Sequence, residues 1–250
     1  MFFSAIAETL RQAQATLDSA VVSAEDGARR FSELESRIRR NGLLVPLDVL
    51  LVGGTGTGKS STLNAMFGAT VATVGDGVEP ETMEISAYSL HKYLRFHDSA
   101  GLGDGKAADL RHAQNITGKL LSTCIVDEQR YGFIDLAMVL LDGGSRDLGT
   151  AFNLLESVVL KSIEPERVVV AINCADMAMK GRHWNHELAQ PEPVLREFLD
   201  EKAVSVQRRI LESTGLAIQL PVYYSALHKY NLCALFDHIT DHLPRSRRRI

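Results

Sequence analysis

Gly53-Gly54-Thr55-Gly56-Thr57-Gly58-Lys59-Ser60 is the stretch from which the rest of the chain can be read. It matches the pattern G-x-x-x-x-G-K-[ST] and stands between an apolar run at 47–52 and a segment of helical character at 59–67. The chemistry of phosphate binding requires that setting. Glycines let backbone N–H groups curl around phosphate oxygens without Cβ clashes. A helix opening near Gly58 turns the positive end of its dipole toward the same anion. Lys59 is placed to reach the β- and γ-phosphates, and the Ser60 hydroxyl to ligate Mg²⁺. Gly54, Thr55, Gly56, Thr57, Gly58 and Ser61 complete the expected cradle.

Outward from this loop, short apolar runs alternate with helical stretches. Strands are expected at 47–52, 85–90, 93–97, 134–141, 168–172 and ending at 222–224. Helices are expected at 59–67, 108–128, 149–163, 195–213 and 232–242. Strands separated by helices imply a mainly parallel sheet covered on both faces, with ligands at the carboxyl ends of the strands. Residues 2–40 read as helix with an apolar stripe that resumes at Phe31, Leu34 and Ile38; Glu25-Asp26-Gly27 is a candidate break, and Asn41-Gly42 ends it. The segment is expected to pack on the domain, with self-association or partner binding as the other reading. Arg245-Ser246-Arg247-Arg248-Arg249 reads as a solvated basic tail, with an electrostatic contact as the alternative.

Three further motifs each end a predicted strand and bear on which nucleotide is bound. Asp98-Ser99-Ala100-Gly101 has the form D-x-x-G, with Asp98 expected to hold Mg²⁺ through water and the Gly101 N–H to sense the γ-phosphate. In Asn173-Cys174-Ala175-Asp176, the Asp176 carboxylate can accept both N1–H and N2–H of guanine, a pairing adenine does not offer. Ser225-Ala226-Leu227 can place the Ala226 N–H on guanine O6. Each has a structural alternative: Asp98 as a turn carboxylate, Asn173 as a strand-end cap, Ser225 as a helix N-cap. Their order along the chain favours the nucleotide reading.

With these motifs the sequence resembles the translation-factor-related GTPase class over roughly residues 47–240, and within it Era-type members of bacterial and prophage origin. The Gly-Gly-Thr-Gly-Thr-Gly-Lys-Ser loop also resembles that of septin and immunity-associated GTPases. The resemblance implies a three-layer α/β P-loop GTPase fold, a mainly parallel sheet with helices on both faces, plus an N-terminal helical extension. With the N-terminal helix and the basic tail, the chain divides into an extension at 1–42, the GTPase domain at 43–243 and the tail at 244–250. It implies that Thr82 closes onto Mg²⁺ and the γ-phosphate, with Thr70 and Thr73 as alternatives, and that Lys59, Thr82 and Gly101 serve hydrolysis. Two positions depart from the pattern. Cys174 stands where the guanine motif usually has Lys, which predicts weaker affinity with specificity retained through Asp176. Leu102 stands where a water-orienting Gln is found in Ras-like members, so another group must serve; Gln114, Arg146 or a second molecule are the candidates. Gly56 occupies the position of the Asn found in potassium-activated relatives.

The implied function is GTP binding with slow Mg²⁺-dependent hydrolysis, used as a conformational switch. The alternatives are a GTP-dependent homodimer with incidental turnover, a ribosome- or RNA-associated factor, and an ATPase, which Asp176 disfavours. Composition fits a soluble, cytoplasmic protein. Hydrophobic residues make 45% of the 250 and charged residues 23%, and the net charge of −4 argues against nucleic-acid binding over the whole surface. Cys124, Cys174 and Cys233 form no CxxC pair, so no disulfide framework or zinc site is indicated. The start of the chain lacks the basic region of a signal peptide, and no apolar run approaches the roughly 18 residues of a spanning helix. His183 and His186 have metal-binding spacing only if helical; a surface loop with a half-buried Trp184 is the expected form.

Overall fold

The computed structural model describes residues 26–67, 86–99, 101, 106–145 and 148–250. Helix α1 covers 26–40, and Asn41-Gly42 follows it, with Gly42 at φ 60°. A six-stranded sheet then forms from β1 (Leu47–Gly53), β2 (Ser86–His91), β3 (Leu94–Asp98), β6 (Leu136–Asp142), β7 (Val168–Asn173) and β10 (Val222–Tyr223). Its order is β10-β7-β6-β1-β3-β2. All neighbours are parallel except β2, which pairs antiparallel with β3 at the edge. The other elements are α2 (Lys59–Phe67), α3 (Lys106–Leu120), a hairpin of β4 (Thr123–Val126) and β5 (Gln129–Gly132), α4 (Gly149–Leu154), a small hairpin of β8 (Trp184–Asn185) and β9 (Gln190–Pro191), α5 (Pro193–Thr214) and α6 (Leu232–Asp241). This is the three-layer, mainly parallel α/β architecture anticipated from the sequence.

The central strands are buried on both faces, which is why they read as unbroken apolar runs. Side-chain alternation divides them between two cores. Leu47, Val49, Leu51, Leu94 and Phe96 meet Leu34 and Ile38 of α1, Leu63 of α2, and Phe236 and Ile239 of α6. Leu50, Val52, Val139 and Val170 meet Ile116 of α3, Leu154 of α4, and Val206 and Ile210 of α5. Helix α1 is fastened to α6 by an edge-to-face contact of Phe31 with Phe236, by Arg30 with Asp237 and by Arg37 with Asp241.

Two local readings of the sequence are corrected. Helix α3 ends at Leu120 rather than running to 128, because the β4–β5 hairpin begins there. Asp127 and Glu128 are its two turn residues, both at positive φ (50° and 63°), the backbone sense that matches the twist of a two-residue hairpin. Lacking the Asn-Gly signal, this turn leaves little trace in the sequence. The second correction concerns the last residues. Arg248 is buried, its guanidinium donating to the carbonyls of Leu120 and Ser162. Its own carbonyl accepts the Gly132 N–H, and Arg249 bridges to Tyr131. Arg247 lies over the Tyr131 ring and donates to the Gly42 carbonyl. The segment is therefore clasped to the body, because helix-end and loop carbonyls that lack secondary-structure partners are met by arginine donors.

Candidate functional site

The loop between β1 and α2 sits at the carboxyl ends of the parallel strands, where an open α/β sheet binds its ligands. Gly56 and Gly58 hold φ of 77° and 80°, so the loop turns in a conformation that side-chain-bearing residues avoid. The Thr57 hydroxyl donates to the Gly54 carbonyl at 2.9 Å. Lys59 opens α2, is 7% exposed, and its Nζ lies 3.3 Å from the Gly53 carbonyl and 3.1 Å from that of Gly54. The ammonium is thus held inside the curl of the loop. Ser61 follows at the helix start, partly exposed.

Ser60 donates to Asp98 Oδ2 at 2.7 Å, bringing residues 38 positions apart into one hydroxyl–carboxylate pair. Asp98 is 1% exposed, and its other oxygen, Oδ1, has no hydrogen-bond partner among the described residues. Burial pushes the Asp98 carboxyl above its usual range, opposed by the Ser60 hydroxyl and the Lys59 charge. A buried, under-bonded carboxylate oxygen beside a serine hydroxyl is a suitable donor set for a hard cation such as Mg²⁺. Gly101 lies directly on the phosphate loop. A Cβ there would come within 2.5 Å of the backbone nitrogen of Thr55, so only glycine allows the approach. Thr82, Thr70, Thr73, Leu102 and Arg146 lie outside the described residues; Gln114 is exposed on α3.

Asn173 is the hub of the site. Its Nδ2 donates to the Thr57 carbonyl at 3.0 Å, and its Oδ1 accepts the Ala226 N–H at 3.0 Å. One side chain at the end of β7 therefore ties the phosphate loop to the loop after β10. Gly58 makes room for it, since a Cβ there would fall 2.2 Å from Nδ2. The Ala226 amide expected to meet guanine O6 donates here to Asn173 Oδ1. Ser225 is fully buried and its Oγ accepts the His228 N–H at 3.2 Å, a turn closure rather than a helix cap. Leu227 beside it is 76% exposed. Asp176 is 5% exposed and faces His228, with 4.0 Å between Oδ2 and Nε2.

Cys174 adopts a left-handed backbone at φ 57°, and burial pushes its thiol up to about 12, so the thiol stays protonated and unreactive. Three residues of this region were not singled out in the sequence. Tyr224, fully buried, places its hydroxyl 2.8 Å from that of Thr62 in α2. Lys202 of α5 donates to the carbonyls of Gly143 and Ser145, and the Gly143 N–H in turn bonds the Asn173 carbonyl at 2.7 Å. His228 is the third. None lies in a motif, so only position in space reveals them. His183 and His186 are not on a helix: His183 pairs with Glu192, and Trp184 between them is buried at 5% rather than half-buried. The described residues hold no cluster of three His, Cys, Asp or Glu fit for a metal ion.

The model of the family described as 50S ribosome-binding GTPase matches residues 48–174, from the first residues of β1 through the Asn173 hub. The chain belongs to this GTPase family. The tRNA modification GTPase MnmE of Sulfurovum sp. (strain NBC37-1) is 28% identical to this GTPase over 149 residues, which are 59% of this chain but only 30% of that protein. Among solved structures, Toc33 from Arabidopsis thaliana in complex with GDP and Mg²⁺ superposes with a TM-score of 0.59 at 16% identity, covering 89% of this chain and 93% of that one. Era in complex with MgGDPNP and nucleotides of 16S ribosomal RNA superposes with a TM-score of 0.53 at 18% identity, over 80% of this chain and 58% of that one. At such identities the likeness concerns the fold. No helix among the described residues is long and apolar enough to cross a membrane.

Proposed function

We propose that this GTPase binds GTP and GDP with Mg²⁺, hydrolyses GTP slowly, and works as a conformational switch of the cytoplasm. The observation that carries this is the Asn173 hub, which fastens the phosphate loop and the base-facing loop into one body. Lys59 and the loop amides would meet the β- and γ-phosphates, and the buried Asp176 would accept the guanine N1–H and N2–H. With the Ala226 amide engaged by Asn173, the exposed Leu227 offers the next amide along the loop for guanine O6.

Ser60 and Asp98 would hold Mg²⁺, which supplies charge neutralisation at the phosphates. The chain's own part is positioning. Lys59 fixes the phosphate chain, Gly101 relays the state of the γ-phosphate to the D-x-x-G turn by its contact with Thr55, and Asn173 keeps the base loop in register. Thr82 is the proposed closing residue of the switch. The group that orients water in place of a Gln at Leu102 would come from Arg146 or from a second molecule. The latter makes a GTP-dependent homodimer the second reading. It is favoured by the structural likeness to the chloroplast translocon components atToc33 and psToc159, for which dimerization is important for GTPase activity. A role on RNA or the ribosome is the weaker reading, because Arg247 and Arg248 of the basic segment are engaged on the protein's own carbonyls.

Competition of GTP, ATP and XTP for labelled GDP on the unmutated protein and on Asp176→Asn tests the base assignment. GTP alone should compete on the former, and XTP should gain on the latter, because xanthine has a carbonyl where guanine has its amino group. Equal competition by ATP on the unmutated protein would remove the guanine reading.

A further inference from the structure

We infer that His228 is a positioning residue for guanine recognition: it orients the Asp176 carboxylate so that both oxygens meet the base. This rests on the reading of Asp176 as the guanine acceptor. A carboxylate that must accept N1–H and N2–H together needs a fixed plane, since a rotated carboxylate can serve only one donor well. Asp176 is buried, and His228 faces it, with Nε2 at 4.0 Å from Oδ2 and 23% of the ring side chain exposed. The gap exceeds an ordinary hydrogen bond by about 1 Å, and the carboxylate would turn to close it as the base binds.

The imidazole is itself held. Its backbone N–H is bonded to Ser225 Oγ, within the same loop that carries Ala226 and Leu227. Its ring lies against Trp184 at 5.1 Å between centroids and against His186 at 5.8 Å. Trp184 is in turn packed edge-on to Tyr230, and Tyr230 is bonded through its backbone to Ser225 in both directions. The β8–β9 hairpin and Tyr230 thus form an aromatic wall that holds His228 Nε2 toward Asp176. This gives the His183–His186 segment a role as that wall, and it links base recognition to the one tryptophan in the chain.

The experiment compares GDP with IDP, which lacks the 2-amino group, on the full chain and on His228→Phe, His228→Gln and Asp176→Asn. Phe keeps a ring against Trp184 but has no donor; Gln keeps an N–H donor. His228→Phe should lose about tenfold in its preference for GDP over IDP, the size of one weakened bond to a charged group, while IDP affinity stays level. His228→Gln should retain most of the preference. Trp184 emission should shift on adding GDP to the unmutated protein, less with IDP, and not with the Phe variant. An undiminished GDP preference in His228→Phe overturns the proposal, as does equal loss in the Gln variant, which would mark a packing role. If Asp176→Asn loses the preference while His228→Phe keeps it, the guanine reading stands and only the His228 role falls. If Asp176→Asn also keeps it, the guanine reading itself fails.

Discussion

The two ends of the parallel sheet solve the same problem in opposite ways. At the carboxyl end, Lys59 curls back onto the carbonyls of Gly53 and Gly54, Gly58 and Gly101 give up their side chains to close approaches, and Asp98 Oδ1 is buried with no partner among the described residues. At the opposite end, Arg248 satisfies the carbonyls of Leu120 and Ser162, and Glu164 Oε2 lies 3.2 Å from Arg167 Nε and 3.4 Å from Arg248 Nε. Arg167 also donates to the Ser246 carbonyl, and Asn41 to that of Pro244. At the far end Glu164 Oε2, Arg167 Nε and Arg248 Nε make no hydrogen bond but pair as ions; at the carboxyl end Asp98 Oδ1 has neither a hydrogen bond nor an ion pair among the described residues. The difference teaches that a buried cation bound to main-chain carbonyls is not itself the mark of a ligand site. The mark is a buried carboxylate oxygen left without an ion pair beside it.

Substitutions at each end should separate the two roles. Lys59→Ala should weaken GDP and GTP binding by on the order of 10²- to 10³-fold, since the phosphate charge loses its main partner, while the nucleotide-free protein remains folded. Calorimetric binding and melting read both, and near-normal affinity would show that the phosphate loop is misassigned. Arg248→Ala should do the reverse. It strands two buried carbonyls and leaves Glu164 with one cation fewer, a loss of about 3 kcal/mol in denaturant unfolding, with GDP affinity unchanged once the protein is folded. A large loss of affinity in a folded Arg248→Ala protein would break the comparison.

Ser60→Ala sharpens the carboxyl end further. Affinity measured with Mg²⁺ should fall about tenfold and affinity in EDTA should not, because only the metal-bound state uses the hydroxyl. Equal falls in both would show that Ser60 is not a metal ligand. The smallest effect belongs to the buried charge network near the start of β1. There Asp48 binds Arg95 and His97, and Asp135 Oδ2 accepts the Asp48 N–H at 2.9 Å. Burial pushes the Asp135 carboxyl up to about 7, with the nearby Asp48 charge adding to it. A folded value raised above the ordinary 3.8 means that the folded state holds the proton more tightly. Its stabilising contribution is therefore present at low pH and lost as pH rises through about 7. From this group, stability should fall by on the order of 1 kcal/mol between pH 6 and pH 8, and Asp135→Asn should flatten that slope. A slope unchanged in the Asn variant would place the titration elsewhere.

The two ends also differed in how far they could be read in advance. The apolar run at 47–52 is β1, the helix expected at 59–67 is α2, and the strand expected at 168–172 is β7 extended by Asn173. Strand β4 and its turn read as helix in the sequence because Thr123-Cys124-Ile125-Val126 follows α3 without a Gly or Pro break, and Asp127-Glu128 reaches positive φ without a glycine. The arginine tail reads as solvated in the sequence because charge spacing does not show that Arg248 meets carbonyls 86 and 128 positions away. Tyr224 and Lys202 were invisible for the same reason. Each acts on a partner distant in sequence, Thr62 and Gly143 respectively.

By itself the sequence determined the strand–helix alternation, the place of the phosphate loop between a buried strand and a helix, and the set of polar residues at strand ends. These follow from local rules: hydrophobic period, glycine conformation and the chemistry that Lys, Ser and Asp can perform at fixed spacing. It takes the folded chain to show that Asn173 joins Thr57 to Ala226, that His228 faces Asp176, and that Arg248 closes the far end. Those are meetings between segments far apart in the chain. They arise from the parallel register that brings Asp142 beside Asn173 and Val222 beside Ala171, and no periodicity within a single segment encodes the neighbour across the sheet.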